Sequence, residues 1–266
     1  MSKRWIKIAI AVFVLVCALA VIPFRKFARS PRGDSSLMSA AANGNIPLAK
    51  ALIEAGANVN ARDNDGGTAL MYAAGHAHPR MVRLLLDNGA NARVVATGGW
   101  TALQASLMSG DPQSIESDEP LIRAGALQGE HYLLWAVGDS GTSAGHMNVL
   151  MRHGVDPNER AIDGSTALID SAYEGDTPAV IALIEHGAKI NILYNEGRTA
   201  LGRAVDQGND DVVQYLLRHG ADSTMKIKGQ SLLQIAAAKR DWDYQNGAIY
   251  AYPHYDTIIA ILKKPQ

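Results

Sequence analysis

Apolar positions along the 266-residue chain fall into two regimes. From Ile8 to Ile22 they form one unbroken run, IAIAVFVLVCALAVI. A helix made from it would have no polar face, so it belongs in lipid or an export leader rather than on a soluble surface. From residue 35 onward the apolar positions come in short clusters punctuated by glycines, and the clusters repeat. GGTALMYAA at Gly66 returns as GWTALQAS at Gly99, GSTALIDSA at Gly164 and GRTALGRAV at Gly197, with Thr68, Thr101, Thr166 and Thr199 spaced by 33, 65 and 33 residues. A second marker, Gly56, Gly89, Gly125, Gly154, Gly187 and Gly220, is spaced by 33, 36, 29, 33 and 33. The period is 33, the third unit is lengthened and the start of the fourth is compressed.

Each unit predicts two short antiparallel helices and a turn. Threonine before Ala-Leu is a helix N-cap, its hydroxyl accepting from a first-turn N–H that has no other partner. Gly44, Gly110, Gly175 and Gly208 fall about eight residues later, where a left-handed C-cap ends the first helix. The second helix carries Leu84, Leu85 and Leu86, Leu183 and Ile184, or Leu216 and Leu217, and Gly89, Gly187 or Gly220 ends it. Asp65-Gly66, Asp163-Gly164 and Glu196-Gly197 then turn the chain back through a tight hairpin. Helices this short gain stability only by stacking on their neighbours. The expectation is an all-α solenoid over 35–264 with units near 35–64, 65–97, 98–130, 131–162, 163–195, 196–227 and 228–264.

Read together, these markers resemble ankyrin repeats, whose helix start is Gly-x-Thr-Pro-Leu-His on a 33-residue period. The departure is systematic: Pro-Leu-His is replaced by Ala-Leu-Met at 69–71, Ala-Leu-Gln at 102–104, Ala-Leu-Ile at 167–169 and Ala-Leu-Gly at 200–202. The missing histidine removes a family hydrogen bond between repeats, which bears on rigidity rather than fold. The resemblance implies a protein-binding scaffold gripping its partner with the hairpin tips and the exposed ends of the first helices. Those positions hold Trp100 and Arg198 before the capping threonine, and His76, Met108, Ser109, Tyr173, Glu174, Asp206 and Gln207 on the first helices.

Composition changes the picture at the N-terminus. Seven of the 25 basic residues lie in 1–32, which hold no acid, leaving 18 basic against 26 acidic side chains in the remainder. An acidic solenoid is an unsuitable nucleic-acid partner. Lys3, Arg4 and Lys7 before the apolar run make residues 1–24 a signal-anchor or transmembrane helix, with 25–34 a basic linker. Ala18-Leu19-Ala20 offers a small-x-small cleavage pattern, so a removed leader is the alternative. As a helix the 15-residue run spans about 22 Å, and extension to Ile6–Phe24 nearly reaches the roughly 30 Å of a hydrocarbon core. Arg25, Lys26, Arg29 and Arg32 rival the leading cluster, so charge bias does not select a side. The export-like start and a domain whose chain has only Cys17 favour a bacterial inner-membrane protein with a periplasmic solenoid, with a cytosol-facing adaptor as the rival.

Candidate chemistry adds little. His76 and His78 lie near one helix end on different faces, and His153, His186 and His219 sit one unit apart, about 10 Å, too far to share an ion. Outside the apolar run there is no cysteine, and a phosphate loop is absent from the sequence. No enzymatic activity, metal or cofactor is expected. The stretch Asp241–Tyr255, DWDYQNGAIYAYPHY, is read as a lid-like insertion in the last unit whose aromatics, Trp242 and Tyr250 among them, either contact a partner or plug the final repeat. A small-ligand or peroxide-handling protein using that insertion is the alternative function.

Overall fold

The computed structural model describes residues 36–129, 131–138, 141–194, 198–245 and 252–264. The apolar run, the basic linker, the Glu196-Gly197 turn and Tyr250 lie outside them. Among the described residues no helix is long and apolar enough to cross a membrane.

Fourteen α-helices run in alternating inner and outer layers among the described residues. The pairs are α1 Ser36–Ala42 and α2 Ile46–Glu54, α3 Ala69–Gly75 and α4 Pro79–Asp87, α5 Ala102–Leu107 and α6 Ile115–Arg123, and α7 Tyr132–Trp135 and α8 Ser143–Arg152. They continue with α9 Ala167–Glu174 and α10 Thr177–Glu185, α11 Ala200–Gln207 and α12 Asp210–Arg218, and α13 Leu232–Gln245 and α14 Tyr252–Leu262. Inner helices pack on inner helices and outer on outer. A two-residue hairpin, β1 Lys226–Ile227 against β2 Gln230–Ser231, precedes the last pair.

The threonines act as the sequence predicts. Thr68, Thr101, Thr166 and Thr199 are extended, and each hydroxyl accepts from the N–H three residues on; Thr101 forms a full capping box with Gln104. Gly44, Gly110, Gly175 and Gly208 all have φ between +63° and +82°. In the second unit the same place falls to Ala77 at φ +54°, a conformation an alanine adopts at about 1–2 kcal/mol.

Two leucine columns form the core. Leu70, Leu103, Leu133, Leu168 and Leu201, each second in its inner helix, are at most 2% exposed. Leu85, Leu121, Leu150, Leu183 and Leu216 of the outer helices are fully buried. Each contributes about 1.5–3 kcal/mol by leaving water, available only when a neighbouring unit covers it.

Asparagines supply bonds between units where the sequence lacks the family histidine. Asn60 Nδ2 donates to the Gly89 carbonyl while its Oδ1 accepts from Asn91 N–H at 2.7 Å. Asn158 makes the same pair with Gly187 and Lys189, and Asn191 with Gly220 and Asp222. Asn209 donates to the carbonyls of Ala172 and Tyr173, closing α12 onto the end of α9.

Two expectations change. Most of the Asp241–Tyr255 insertion is helix: α13 runs 14 residues to Gln245 and α14 resumes at Tyr252. AKRDWDYQ contains no glycine or proline, so nothing in it stops the helix. Near the middle, where the spacing is irregular, a 3-10 turn Pro112–Ser114 leads into α6 and inner helix α7 shrinks to four residues. There His131, at φ +66°, stands where other units have the capping threonine.

Candidate functional site

The fourth residue of successive inner helices forms a column across the array: Tyr72, Ala105, Trp135, Asp170 and Arg203. The residue before each capping threonine forms a second column, which includes Trp100 and Arg198. Trp100 meets Trp135 with ring centroids 5.8 Å apart and planes inclined by 58°, so the two columns touch at units three and four. Farther along, the Arg203 guanidinium lies 4.0 Å from the centroid of Tyr173 and 5.9 Å from that of Tyr194. Its Nε is buried without a hydrogen-bond partner. Tyr194 OH donates to Asp163 Oδ2, and Ser165 Oγ donates to Asp170 Oδ1 at 2.5 Å.

Asp170 is half-buried, and burial is the main cause that raises its pKa to about 6; the Ser165 hydrogen bond and Arg203 act against it, while Asp163 and Glu174 push the same way as burial. Tyr194 is also raised, first by burial and then by Asp163.

The expected positions fall as follows. Trp100, Arg198, Tyr173, Asp206, Met108 and His76 are half-buried, and Glu174 and Gln207 are exposed. Asp206 pairs with Lys239 of α13 at 3.2 Å. His76 Nδ1 bonds to the Tyr72 carbonyl and His78 Nε2 to the Ala42 carbonyl, so a ring nitrogen of each is committed to backbone although the rings lie parallel 6.5 Å apart. Among the described residues no group of three or more His, Cys, Asp or Glu could hold a metal ion. In the last unit Tyr255 is 4% exposed, lies against Gly208 and donates to the Asp206 carbonyl at 2.9 Å, which seats it on the preceding unit; burial pushes its phenol up to about 12. Trp242 and Tyr244 are exposed on the extended α13.

Sequence reasoning missed Trp135, Asp170, Tyr194 and Arg203. Trp135 was hidden because its unit lacks the threonine that sets the register, whereas Asp170 and Arg203 are each the fourth residue after a capping threonine and were within reach of the same alignment.

It also missed a buried polar set. His146 Nδ1 meets Asp118 Oδ2 at 2.5 Å, its Nε2 lies 3.1 Å from Ser114 Oγ, and Ser106 Oγ donates to Asp118 Oδ1 at 2.7 Å. Serine, histidine and aspartate in that order are the parts of a nucleophilic triad. Yet all four residues are 0% exposed, and Ser114 donates its own proton to the Asp111 carbonyl at 2.6 Å. Buried in this way, the set is a structural clamp joining α5, α6 and α8. Burial raises the Asp118 pKa, against the hydrogen bond and charge of His146 and the bond from Ser106.

The family profile described as "Ankyrin repeats (3 copies)" matches residues 30–117 and 133–227. The chain belongs to the ankyrin-repeat family. The human ASB11 ankyrin repeat domain superposes with a TM-score of 0.71 at 26% identity, covering 88% of this chain and all of that one. The ankyrin repeat domain of Bcl-3, a member of the IkappaB protein family, superposes with a TM-score of 0.62 at 26% identity over 76% of this chain and 94% of its own. No curated protein sequence matches the chain. Ankyrin domains are protein-interaction scaffolds, and here the first-helix columns carry the half-buried aromatic and guanidinium groups that suit such contacts.

Proposed function

We propose that the protein is a non-enzymatic scaffold that binds another protein on its inner-helix surface while held at the bacterial inner membrane, with the solenoid on the periplasmic side. The observation that carries the binding reading is the pair of aromatic contacts, Trp100 with Trp135 and Tyr173 with Arg203, made by the inner helices and the turns that lead into them. Tryptophan, tyrosine and arginine are the residue types that most often anchor interfaces. The membrane reading rests on Lys3, Arg4 and Lys7 ahead of the apolar run, and the periplasmic side on the absence of cysteine after Cys17. Nucleic acid is an unsuitable partner for a solenoid with this excess of acid, and no cofactor is assigned. A place in stress defence is carried only by analogy with other exported ankyrin proteins.

The test is site-specific photocrosslinking in intact cells. A benzophenone side chain at position 100 or 173 should give a discrete protein adduct, and one at Arg83, exposed on outer helix α4, should not. Adducts from Arg83 alone, or none from 100 and 173, reject the binding surface. Labelling of Arg218→Cys in a Cys17→Ser background by a membrane-impermeant thiol reagent in spheroplasts should succeed; protection until lysis would place the solenoid in the cytosol.

A further inference from the structure

Asp170 and Arg203 are each the fourth residue of an inner helix, α9 and α11, and these two helices pack on each other. Arg203 acts on the Asp170 carboxyl through its charge, yet no hydrogen bond joins them. Each is held by something else. Ser165 Oγ donates to Asp170 Oδ1, while the Arg203 guanidinium is stacked 4.0 Å from the centroid of Tyr173 and lies 5.9 Å from that of Tyr194. Tyr194 is itself fixed, its OH donating to Asp163 Oδ2 and its N–H to the Arg198 carbonyl at 2.7 Å.

Donors and an acceptor are left over. Arg203 Nε is buried with no hydrogen-bond partner, and the two Nη groups donate to none of the described residues. Asp170 Oδ2 accepts from none of them either. A buried donor without an acceptor costs about 1–3 kcal/mol, so unused donors of this kind favour a ligand that supplies oxygen.

Charge narrows the choice. A cationic ligand would meet Arg203, and an anionic one would meet Asp170, with Asp163 and Glu174 adding to the negative field there. A neutral group with an acceptor and a donor on one edge suits both. A primary carboxamide has that form, its C=O accepting from a guanidinium and its NH2 donating to a carboxylate. A trans peptide group turns its N–H and C=O to opposite sides, so it cannot make both bonds on one surface. With a hydrogen bond of about 2.9 Å at either end, a carboxamide also bridges two charged groups that do not reach each other.

We infer that Arg203 and Asp170 together bind the carboxamide of an asparagine or glutamine side chain of the protein partner, its oxygen on a guanidinium Nη and its NH2 on Asp170 Oδ2. Tyr173 and Tyr194 fix the guanidinium for this contact, and both hydrogen bonds are strengthened by the charge at their protein end. The inference rests on the binding surface proposed for this chain and adds the chemistry of what it binds.

The experiment is selection of a random heptapeptide phage library on the full-length protein in detergent at pH 7.5, with counter-selection on Arg203→Leu. Enriched sequences should share asparagine or glutamine at one position. A synthetic peptide of that sequence should bind about tenfold to a hundredfold more weakly when the amide residue is replaced by the acid of the same length, and similarly weakly to Arg203→Leu. On Asp170→Asn the acid-bearing peptide should recover most of its loss, because the carboxylate that repels it is gone. That recovery leaves Arg203 in place, so it decides the matter even if Arg203→Leu fails to fold. Selection of nothing, as for a gap bridged by water only, enriched peptides with no shared amide, or an acid-bearing peptide that binds Asp170→Asn no better than wild type overturns the inference. Crosslinks from positions 100 and 173 would then still stand for the binding surface, and their loss would remove that surface instead.

Discussion

Replacing Asp118 with alanine tests the buried clamp most directly. Asp118 and His146 are both 0% exposed, and the carboxylate is the partner of His146 Nδ1 and of Ser106 Oγ. Removing one member of a buried pair and leaving the other costs about 3–5 kcal/mol, because the stranded group has lost both water and its counterpart. Domains are stable by only about 5–15 kcal/mol, and at this size each kcal/mol moves the melting temperature by about 2–4 °C. Asp118→Ala should therefore melt roughly 6–20 °C lower. Urea unfolding followed by circular dichroism and by tryptophan fluorescence measures it, with Trp100 and Trp135 reporting from units three and four. Full conversion to apolar groups, Asp118→Leu with His146→Leu, Ser106→Ala and Ser114→Ala, should be neutral or more stable by about 1–4 kcal/mol, since it also removes the desolvation penalty. A loss below about 1 kcal/mol for Asp118→Ala, the range of surface pairs, would refute the burial on which the clamp rests. Labelling of Ser114 in the native protein by a serine-reactive phosphonate would do the same for its inaccessibility.

Other expectations follow from single contacts. Asn158→Ala breaks two bonds between units four and five and should cost about 1–3 kcal/mol in urea melts, with hydrogen exchange rising around Gly187 and Lys189. Tyr255→Ala uncovers Gly208 and should cost about 3–5 kcal/mol, with α11 and α12 losing exchange protection before the remaining units. Asp170 binds its proton more tightly folded than unfolded, so its contribution is full below pH about 4 and lost as pH rises to about 6. Asp170→Asn should gain stability relative to wild type across that window, by at most about 3 kcal/mol; a flat difference between pH 4 and pH 7 refutes the shift.

The fold was legible because its determinants are local and repeated. Threonine caps, terminal glycines and the leucine columns act within one 33-residue unit, and their periodicity reports on stacking. The irregular middle was harder to read. The 36 and 29 spacings mark its position, but the Asp118–His146 contact joins residues 28 apart in units that no longer align. The last unit misled because clustered aromatics read as a loop, while the absence of a breaker through Gln245 was the better guide. The binding column was half legible: Trp100, Tyr173 and Arg198 come from the family pattern, whereas Trp135 requires knowing that His131 replaces the cap. The apolar run expected to form an N-terminal helix lies outside the described residues.

The clamp also bears on the order in which the chain can close. Asparagine bridges join units one to two, four to five and five to six, but the equivalent places in the second and third units are Arg93 and Gly129. At the three-to-four junction the buried clamp stands in, and its histidine is made 28 residues after its aspartate. At about 5–20 residues per second, a ribosome leaves Asp118 without a counterpart for roughly one to six seconds. Until His146 arrives the Asp118 carboxylate lacks its imidazole partner, so the third unit should close together with the fourth. The third and fourth units are therefore expected to compact as one step during synthesis, after His146 emerges.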